Sequence, residues 1–323
     1  MTTPSMAHPA PSPVPVLAIV GPTAVGKSDV SLAVARLLAA DGGAEVVNAD
    51  SMQFYRGMDI GTAKLTPEER RGVPHHQIDT LDVHEDASAA RYQEAGRADI
   101  EAIRARGAVP LVVGGSGLYL RALLDEFEFP GTDPALRAEL ERRAQEEGPG
   151  ILHRELAALD PAAAEKISPR NAKRIVRALE IIRIAGAYES SLPRHSYAVD
   201  TVQIALDVDT AVLDERIARR VDRMWRAGLV DEVRGLVERG LRDGTTARRA
   251  VGYAETLRHL DGELDEDETR ALIAQNTRRL ARRQRRWFGP DPRITWIPGP
   301  ADASEVEDVA RAVVEAYRAA RVR

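Results

Sequence analysis

Apolar positions along the chain follow two different periods. Short apolar runs at Val14 to Val20, within Glu45 to Asp50, at Val109 to Val113 and at Val202 to Val208 predict buried strands, and Arg293 to Ile297 predicts a last short one. Val30 to Ala40, Ala87 to Arg106 with Ser88 as its cap, and Ala303 to Arg323 have helical spacing. Strands alternating with helices are the order of a parallel α/β sheet. From Asp133 to about Gly186 the pattern is helical and charged with no strand, broken at Gly148-Pro149-Gly150 and at Ser168-Pro169. Strand character returns only at Val202, so residues 131–198 read as a helical insertion domain in a core made of 14–130 and 199–323. Residues 1–13 hold four prolines and no apolar period, and are expected to form a disordered tail.

The first strand runs into Gly21-Pro22-Thr23-Ala24-Val25-Gly26-Lys27-Ser28, and a helix follows. A loop of this spacing turns backbone N–H groups inward at a helix N-terminus, where the helix dipole adds positive potential. It is the loop of nucleotide-binding, and commonly ATP-binding, proteins, with Lys27 on phosphate oxygens and the Ser28 hydroxyl on Mg²⁺. The fold class expected is therefore α/β with a P-loop NTPase-like parallel sheet core and a helical insertion domain. Phosphate binding follows from the loop; whether the phosphate is donor, fuel or leaving group does not.

Composition narrows the class. At 323 residues and 44% hydrophobic content the chain can bury a large core, and no apolar run reaches the ~20 residues of a membrane span. With no basic, apolar and cleavable leader at the start, a cytoplasmic location is the default expectation. Zero cysteines exclude disulfides and thiolate metal sites. The net charge of −5 hides local clusters of arginine. Arg170, Lys173, Arg174 and Arg177 fall at i, i+3, i+4 and i+7 on one helix face, which is either a solvated face or a surface for phosphate backbone. Arg216, Arg219, Arg220, Arg223 and Arg226 share a later helix, and six arginines lie between Arg278 and Arg286 before Trp287. A basic segment ending in an aromatic suits RNA, where charge and stacking combine.

The carboxyl ends of parallel strands gather ligands, which places Asp50 beside the phosphate loop. The segment from Asp50 to Lys64 mixes polar, aromatic and glycine residues without a period, as site loops do. His75 and His76 are neighbours that point different ways, so they read as structural or hydrogen-bonding groups and not as metal ligands. The strand ending Val113-Gly114-Gly115-Ser116-Gly117 lacks the acidic end expected of a working ATPase or GTPase; its glycines point to a substrate approaching the backbone, with Ser116 as a polar contact.

These residues carry a resemblance. Gly21 to Ala24 with Gly26-Lys27-Ser28, Asp50-Ser51, Tyr55 to Lys64, Pro74-His75-His76 with Asp79, Val113 to Tyr119, Arg174 to Glu180 and Val251-Gly252-Tyr253 resemble the motifs of the bacterial tRNA dimethylallyltransferases, also called tRNA isopentenyltransferases, over residues 16 to 288. The resemblance implies transfer of the dimethylallyl group from dimethylallyl diphosphate to the exocyclic N6 amine of the adenosine 3′-adjacent to the tRNA anticodon, with Mg²⁺, and release of diphosphate. Asp50 then matches the general base, Thr23 lies in the diphosphate and catalytic motif, and Arg220 matches an arginine of diphosphate binding. With Lys27 they form the expected catalytic set. Ser116 and Arg137 match tRNA-contacting positions, as do Asp50, Ser51, Met52 and Gln53, then Lys173, Arg174, Ile175, Val176 and Arg177, then Arg249, Ala250, Val251, Gly252, Tyr253 and Ala254.

The expected partners are thus the tRNA anticodon stem-loop and dimethylallyl diphosphate, with a monomeric enzyme and no membrane. Many members carry Thr at the position of Ser116, and the zinc-finger extension of eukaryotic members is absent. A nucleoside kinase, a nucleotide-gated RNA-binding protein and a prenyltransferase acting on free adenosine nucleotides are the rival readings.

Overall fold

The computed structural model describes residues 14–188 and 195–321; the tail expected over 1–13 lies outside them. The chain divides into two units, one of residues up to Asp125 with those from Tyr197 onward, the other Glu126–Ser196. In chain order, β1 (Val16–Val20), α1 (Lys27–Leu37), β2 (Ala44–Asn48), β3 (His75–His76), α2 (Ala89–Ala105), β4 (Val109–Gly114) and α3 (Gly117–Leu124) open the first unit. The second unit holds α4 (Pro134–Glu146), α5 (Pro149–Leu159), α6 (Pro161–Lys166) and α7 (Ala172–Ala185). Then β5 (Thr201–Asp207), α8 (Thr210–Arg226), α9 (Leu229–Glu238), α10 (Tyr253–Leu260), α11 (Glu266–Phe288), β6 (Thr295–Pro298) and α12 (Val306–Arg321) complete the first.

Among the described residues the strands form one six-stranded sheet in the order β3-β2-β4-β1-β5-β6, with every pairing parallel. All of β1 is buried, and its side chains alternate between two cores. Leu17 and Ile19 share one with Val30 and Val34 of α1 and Val313 of α12, while Val16, Ala18 and Val20 share the other with Ile100 of α2 and Leu123 of α3. Covering on both faces is why the strand reads as an unbroken apolar run. Since β1 lies between β4 and β5, the loop after it emerges at the centre of the sheet, where the strand order switches direction and parallel sheets bind ligands.

The unit boundary falls at 126 and 196 instead of 131 and 198 for a local reason. Asp125 bridges Tyr197, and the Ala198 amide donates to the Leu124 carbonyl at 2.9 Å, which ties the returning chain to the first unit before β5 begins. On the outgoing side, Arg177 of α7 donates to the carbonyls of Pro130 and Gly131, so that stretch belongs with the helices. Within the second unit Leu140, Leu152, Leu156, Ile175 and Leu179 pack into one core. Asp133, Asp160 and Asn171 each accept an amide hydrogen bond at a helix start, and Pro134, Pro149 and Pro161 lie in the first turn of their helices, so the break at Gly148-Pro149 is the start of α5 and that at Ser168-Pro169 comes just before the cap of α7.

Glu180 of α7 has no solvent exposure and holds two arginines, Arg137 and Arg177, as well as the Asp133 amide. Burial alone would raise its carboxyl pKa, but the hydrogen bonds from Arg137, Arg177 and Asp133 outweigh it and hold the group below the ordinary carboxylate value. A depressed folded-state pKa gives stability that is complete above the unfolded value and lost as pH falls through the folded one. The melting temperature of the second unit is therefore expected to drop on acidification below about pH 4.5 more steeply in the wild type than in Glu180→Gln. Scanning calorimetry across that range checks it; parallel curves would remove the ion pair from the account.

Candidate active site

The phosphate loop depends on two glycines. Gly21 has φ +135°, and a Cβ there would lie 2.4 Å from the Leu206 carbonyl oxygen of β5. Gly26 adopts a left-handed conformation immediately before α1 and has no capping side chain, which leaves the amides of the first turn to a ligand. Lys27 curls back over the loop and donates to the carbonyls of Gly21 (3.0 Å) and Pro22 (2.6 Å). Burial pushes its ammonium pKa down to about 8, against the pull of Asp50 and with the help of Arg220. Ser28 follows in the first turn, and Val25 is in the core. An anion arriving at this loop gives Lys27 a better partner than two carbonyls.

Asp50 comes just after β2. Asn48, almost wholly buried, fixes its backbone: the Asp50 amide donates to the Asn48 Oδ1 at 3.0 Å, and the Asn48 amide group donates to the carbonyls of Asp50 and Gln77. The Asp50 Oδ1 accepts from the Met52 amide at 3.0 Å and so caps a short 3-10 turn over Ser51–Phe54. From the end of β4, the Ser116 hydroxyl accepts from the Ser51 amide at 3.1 Å. Arg220 of α8 reaches over from the opposite side, donating to the Thr23 hydroxyl (3.4 Å) and the Thr62 carbonyl (3.2 Å).

Of these groups Thr23, Asp50, Ser51, Thr62, Ser116 and Arg220 line one cavity of about 450 Å³. Thr23, Asp50, Ser116 and Arg220 supply polar walls. Ile217, Val221 and Met224, on one face of α8, and Ile273 and Leu280 of α11 supply an apolar lobe. Arg249, Ala250, Val251 and Gly252 form a further wall, and Arg283 and Trp287 also line it. The arrangement can hold an anion at the loop, take up a small apolar group beside it, and present a carboxylate to a third component.

Several expected site residues thus converge, and others do not. Gln53 donates to the Thr62 carbonyl at 3.3 Å and supports the loop beside Arg220. Tyr253 is fully buried and donates to Glu232 at 2.6 Å, and Ala250 is nearly buried, so their side chains serve the wall's packing. Ala254 follows within α10. In the second unit Ile175 and Val176 are core residues, Arg137 and Arg177 pair with Glu180, and Lys173 and Arg174 are exposed.

Gln284 of α11 is a site residue that the sequence does not mark. It accepts from the Thr23 amide at 2.9 Å and donates to the Gly115 carbonyl at 3.1 Å, bridging the phosphate loop to the end of β4. No spacing rule marks one glutamine in a basic helix; a long-range contact does. It also changes the reading of the glycines after β4. A Cβ on Gly114 would lie 2.3 Å from Ala49 backbone atoms, one on Gly115 2.5 Å from Gln284, and one on Gly117 2.1 Å from Trp287. The close approach is made by the protein itself. The arginine block of α11 is likewise partly engaged within the chain, Arg285 with Asp207 and both Arg278 and Arg282 with Asp214, leaving Arg283 at the cavity. His76 meets Glu45 at 2.7 Å and His75 the Val73 carbonyl at 2.8 Å, the hydrogen-bonding roles expected of them.

A family model described as IPP transferase matches residues 53–291. The tRNA dimethylallyltransferase of Thermobifida fusca is 58% identical over 301 residues, 93% of this chain and 94% of its own, and that of Kineococcus radiotolerans 56% identical over 305 residues, 94% and 96%. Among solved structures, the full-length tRNA isopentenylpyrophosphate transferase of Bacillus halodurans superposes with a TM-score of 0.68 at 38% identity, covering 94% of this chain and 97% of that one. A eukaryotic dimethylallyltransferase acting on tRNA superposes with a TM-score of 0.79 at 28% identity, covering 92% and 77%. Matched over nearly its whole length by such relatives, and over residues 53–291 by the family model, the chain belongs to the IPP transferase family.

Proposed function

We infer that this protein transfers the dimethylallyl group of dimethylallyl diphosphate to the N6 amine of the adenosine 3′-adjacent to a tRNA anticodon. The observation that carries the reading is the two-sided lining of one cavity, in which Thr23 of the phosphate loop, Arg220 and Asp50 share the walls with an apolar lobe from α8 and α11, while the Lys27 ammonium is close enough to feel the charges of Asp50 and Arg220. A kinase needs the loop and a base, but has no use for the lobe. The names of the relatives agree with this reading.

In the reaction the bond between C1 of the allyl group and the diphosphate oxygen breaks, and its electron pair leaves on the diphosphate. Lys27, Arg220 and the amides of the loop bind that growing charge. The N6 lone pair forms the new bond to C1, and the N6 proton passes to Asp50. The donors present fit a magnesium ion: Ser28 offers one hard hydroxyl oxygen, and magnesium takes most of its remaining shell from water and substrate phosphates. When bound it supplies positive charge opposite the leaving diphosphate. The adenine enters flipped from the anticodon loop, which costs a few kcal/mol of unstacking. Contacts to the RNA come from Asp50 to Gln53, Ser116, Arg137, Lys173 to Arg177 and Arg249 to Ala254; with Ile175 and Val176 in the core, Lys173 and Arg174 carry their stretch. The enzyme acts as a monomer in the cytoplasm, where its tRNA is found.

The test is transfer of labelled dimethylallyl diphosphate to an unmodified anticodon stem-loop with Mg²⁺, beside AMP as acceptor and ATP as competing donor. Label on the stem-loop is the expected result. Label on AMP alone would move the acceptor to free nucleotides, and ATP turnover without label would replace the reading by a kinase.

A further inference from the structure

Glu232 lies in the first turn of α9 and is not among the residues lining the cavity, yet it joins two of the cavity's walls. Its Oε2 accepts from the amides of Asp59 (3.1 Å) and Ile60 (2.7 Å), and its Oε1 from the Gly61 amide (3.2 Å) and the Tyr253 hydroxyl (2.6 Å). Three successive amides converging on one oxyanion form the kind of nest that elsewhere binds a phosphate, here filled by the protein's own carboxylate. The loop it holds has no helix or strand to support it. Gly61 is pressed so closely on Tyr253 that a Cβ would lie 2.5 Å from the ring.

The next residue shows the purpose of this clamp. The Thr62 carbonyl accepts from Arg220 at 3.2 Å, and Arg220 in turn donates to the Thr23 hydroxyl of the phosphate loop. Arg220 has no carboxylate among these hydrogen-bond partners to fix its fork; its place is set by a carbonyl on a loop and a hydroxyl at 3.4 Å. We propose that Glu232 is a positioning residue for the donor site, acting through the backbone of residues 59–62 on Arg220 so that the guanidinium meets the allylic diphosphate in one geometry. Tyr253 brings the Arg249–Gly252 wall to the same carboxylate, so the two walls are set from one point. The proposal deepens the prenyltransferase reading and rests on it.

Glu232→Gln keeps the size of the side chain but turns an amide N–H₂ toward amide donors, which releases the loop. The expected result is a KM for dimethylallyl diphosphate raised about 10- to 100-fold, the scale of a displacement near 1 Å in a positioned group. Because the effect passes through Arg220, Glu232→Gln is expected to add less than threefold in an Arg220→Ala background. Glu232→Asp keeps the charge on a shorter stem and should raise the same KM, which covers the case in which Glu232→Gln fails to fold.

A donor KM within twofold of wild type in Glu232→Asp, fully multiplicative effects with Arg220→Ala, or a joint fall in kcat and melting temperature at constant KM would each overturn the proposal. Wild-type enzyme assayed in parallel separates the two claims. If it transfers no dimethylallyl group the function reading fails, whereas transfer by wild type with an unchanged variant removes only the role of Glu232.

Discussion

Asp50→Ala lowers kcat by about 10²–10⁴-fold, the usual contribution of a general base, and leaves stem-loop binding largely intact. The amine of adenine is a weak nucleophile because its lone pair is delocalised into the ring, so attack on C1 becomes easier as its proton is removed. Asp50 is held for that task by its neighbours, with Asn48 on its backbone and the Met52 amide on one carboxylate oxygen. Asp50→Asn separates the two functions of the side chain: it retains an oxygen for Met52 but cannot take the proton, so it should lose nearly as much activity as alanine. Single-turnover rates at saturating donor and stem-loop, together with filter binding of the stem-loop, check both. Wild-type rates in either variant would assign the base to another group.

Arg220→Ala lowers kcat/KM for dimethylallyl diphosphate by about 10²–10³-fold, the scale for loss of one donor aimed at developing negative charge. Unlike the loss at Asp50, this one appears in donor KM as well as in kcat, since the diphosphate is bound before the bond breaks and gains charge as it breaks. Burial works against the charged form of Arg220 and Asp50 works for it, so the guanidinium sits where an anion gains most from it. Arg220→Lys should recover little, because one ammonium cannot serve both Thr23 and Thr62 as the fork does. Donor-dependent steady-state rates and inhibition by inorganic diphosphate read the effect. A change confined to stem-loop affinity would place Arg220 on the RNA side.

Strand and helix order were legible because they follow from local rules. The apolar run before Gly21 has to be covered on both faces, the Gly21 to Ser28 spacing has to turn amides toward a helix axis, and Asp133, Asp160 and Asn171 can satisfy free amides wherever a helix begins. The position of Asp50 followed too, since a residue just past a parallel strand is carried to the ligand edge of the sheet. Charge was less legible. Arg278, Arg282 and Arg285 look alike in the sequence, yet Asp214 and Asp207 neutralise them from elements about 70 residues away, and it is Arg283 of that block that lines the cavity.

By itself, then, the sequence determined an α/β core, a phosphate loop and a carboxylate brought beside it, because each depends on neighbours within a few residues and on periods that sterics impose. The tertiary structure decided which helices cover the loop. It made an apolar lobe from faces of α8 and α11, placed Gln284 between the loop and β4, and gave Glu232 the backbone amides of residues 59–61. Those are contacts between groups far apart in the chain, selected by the packing of whole elements, and no local pattern of residues encodes them.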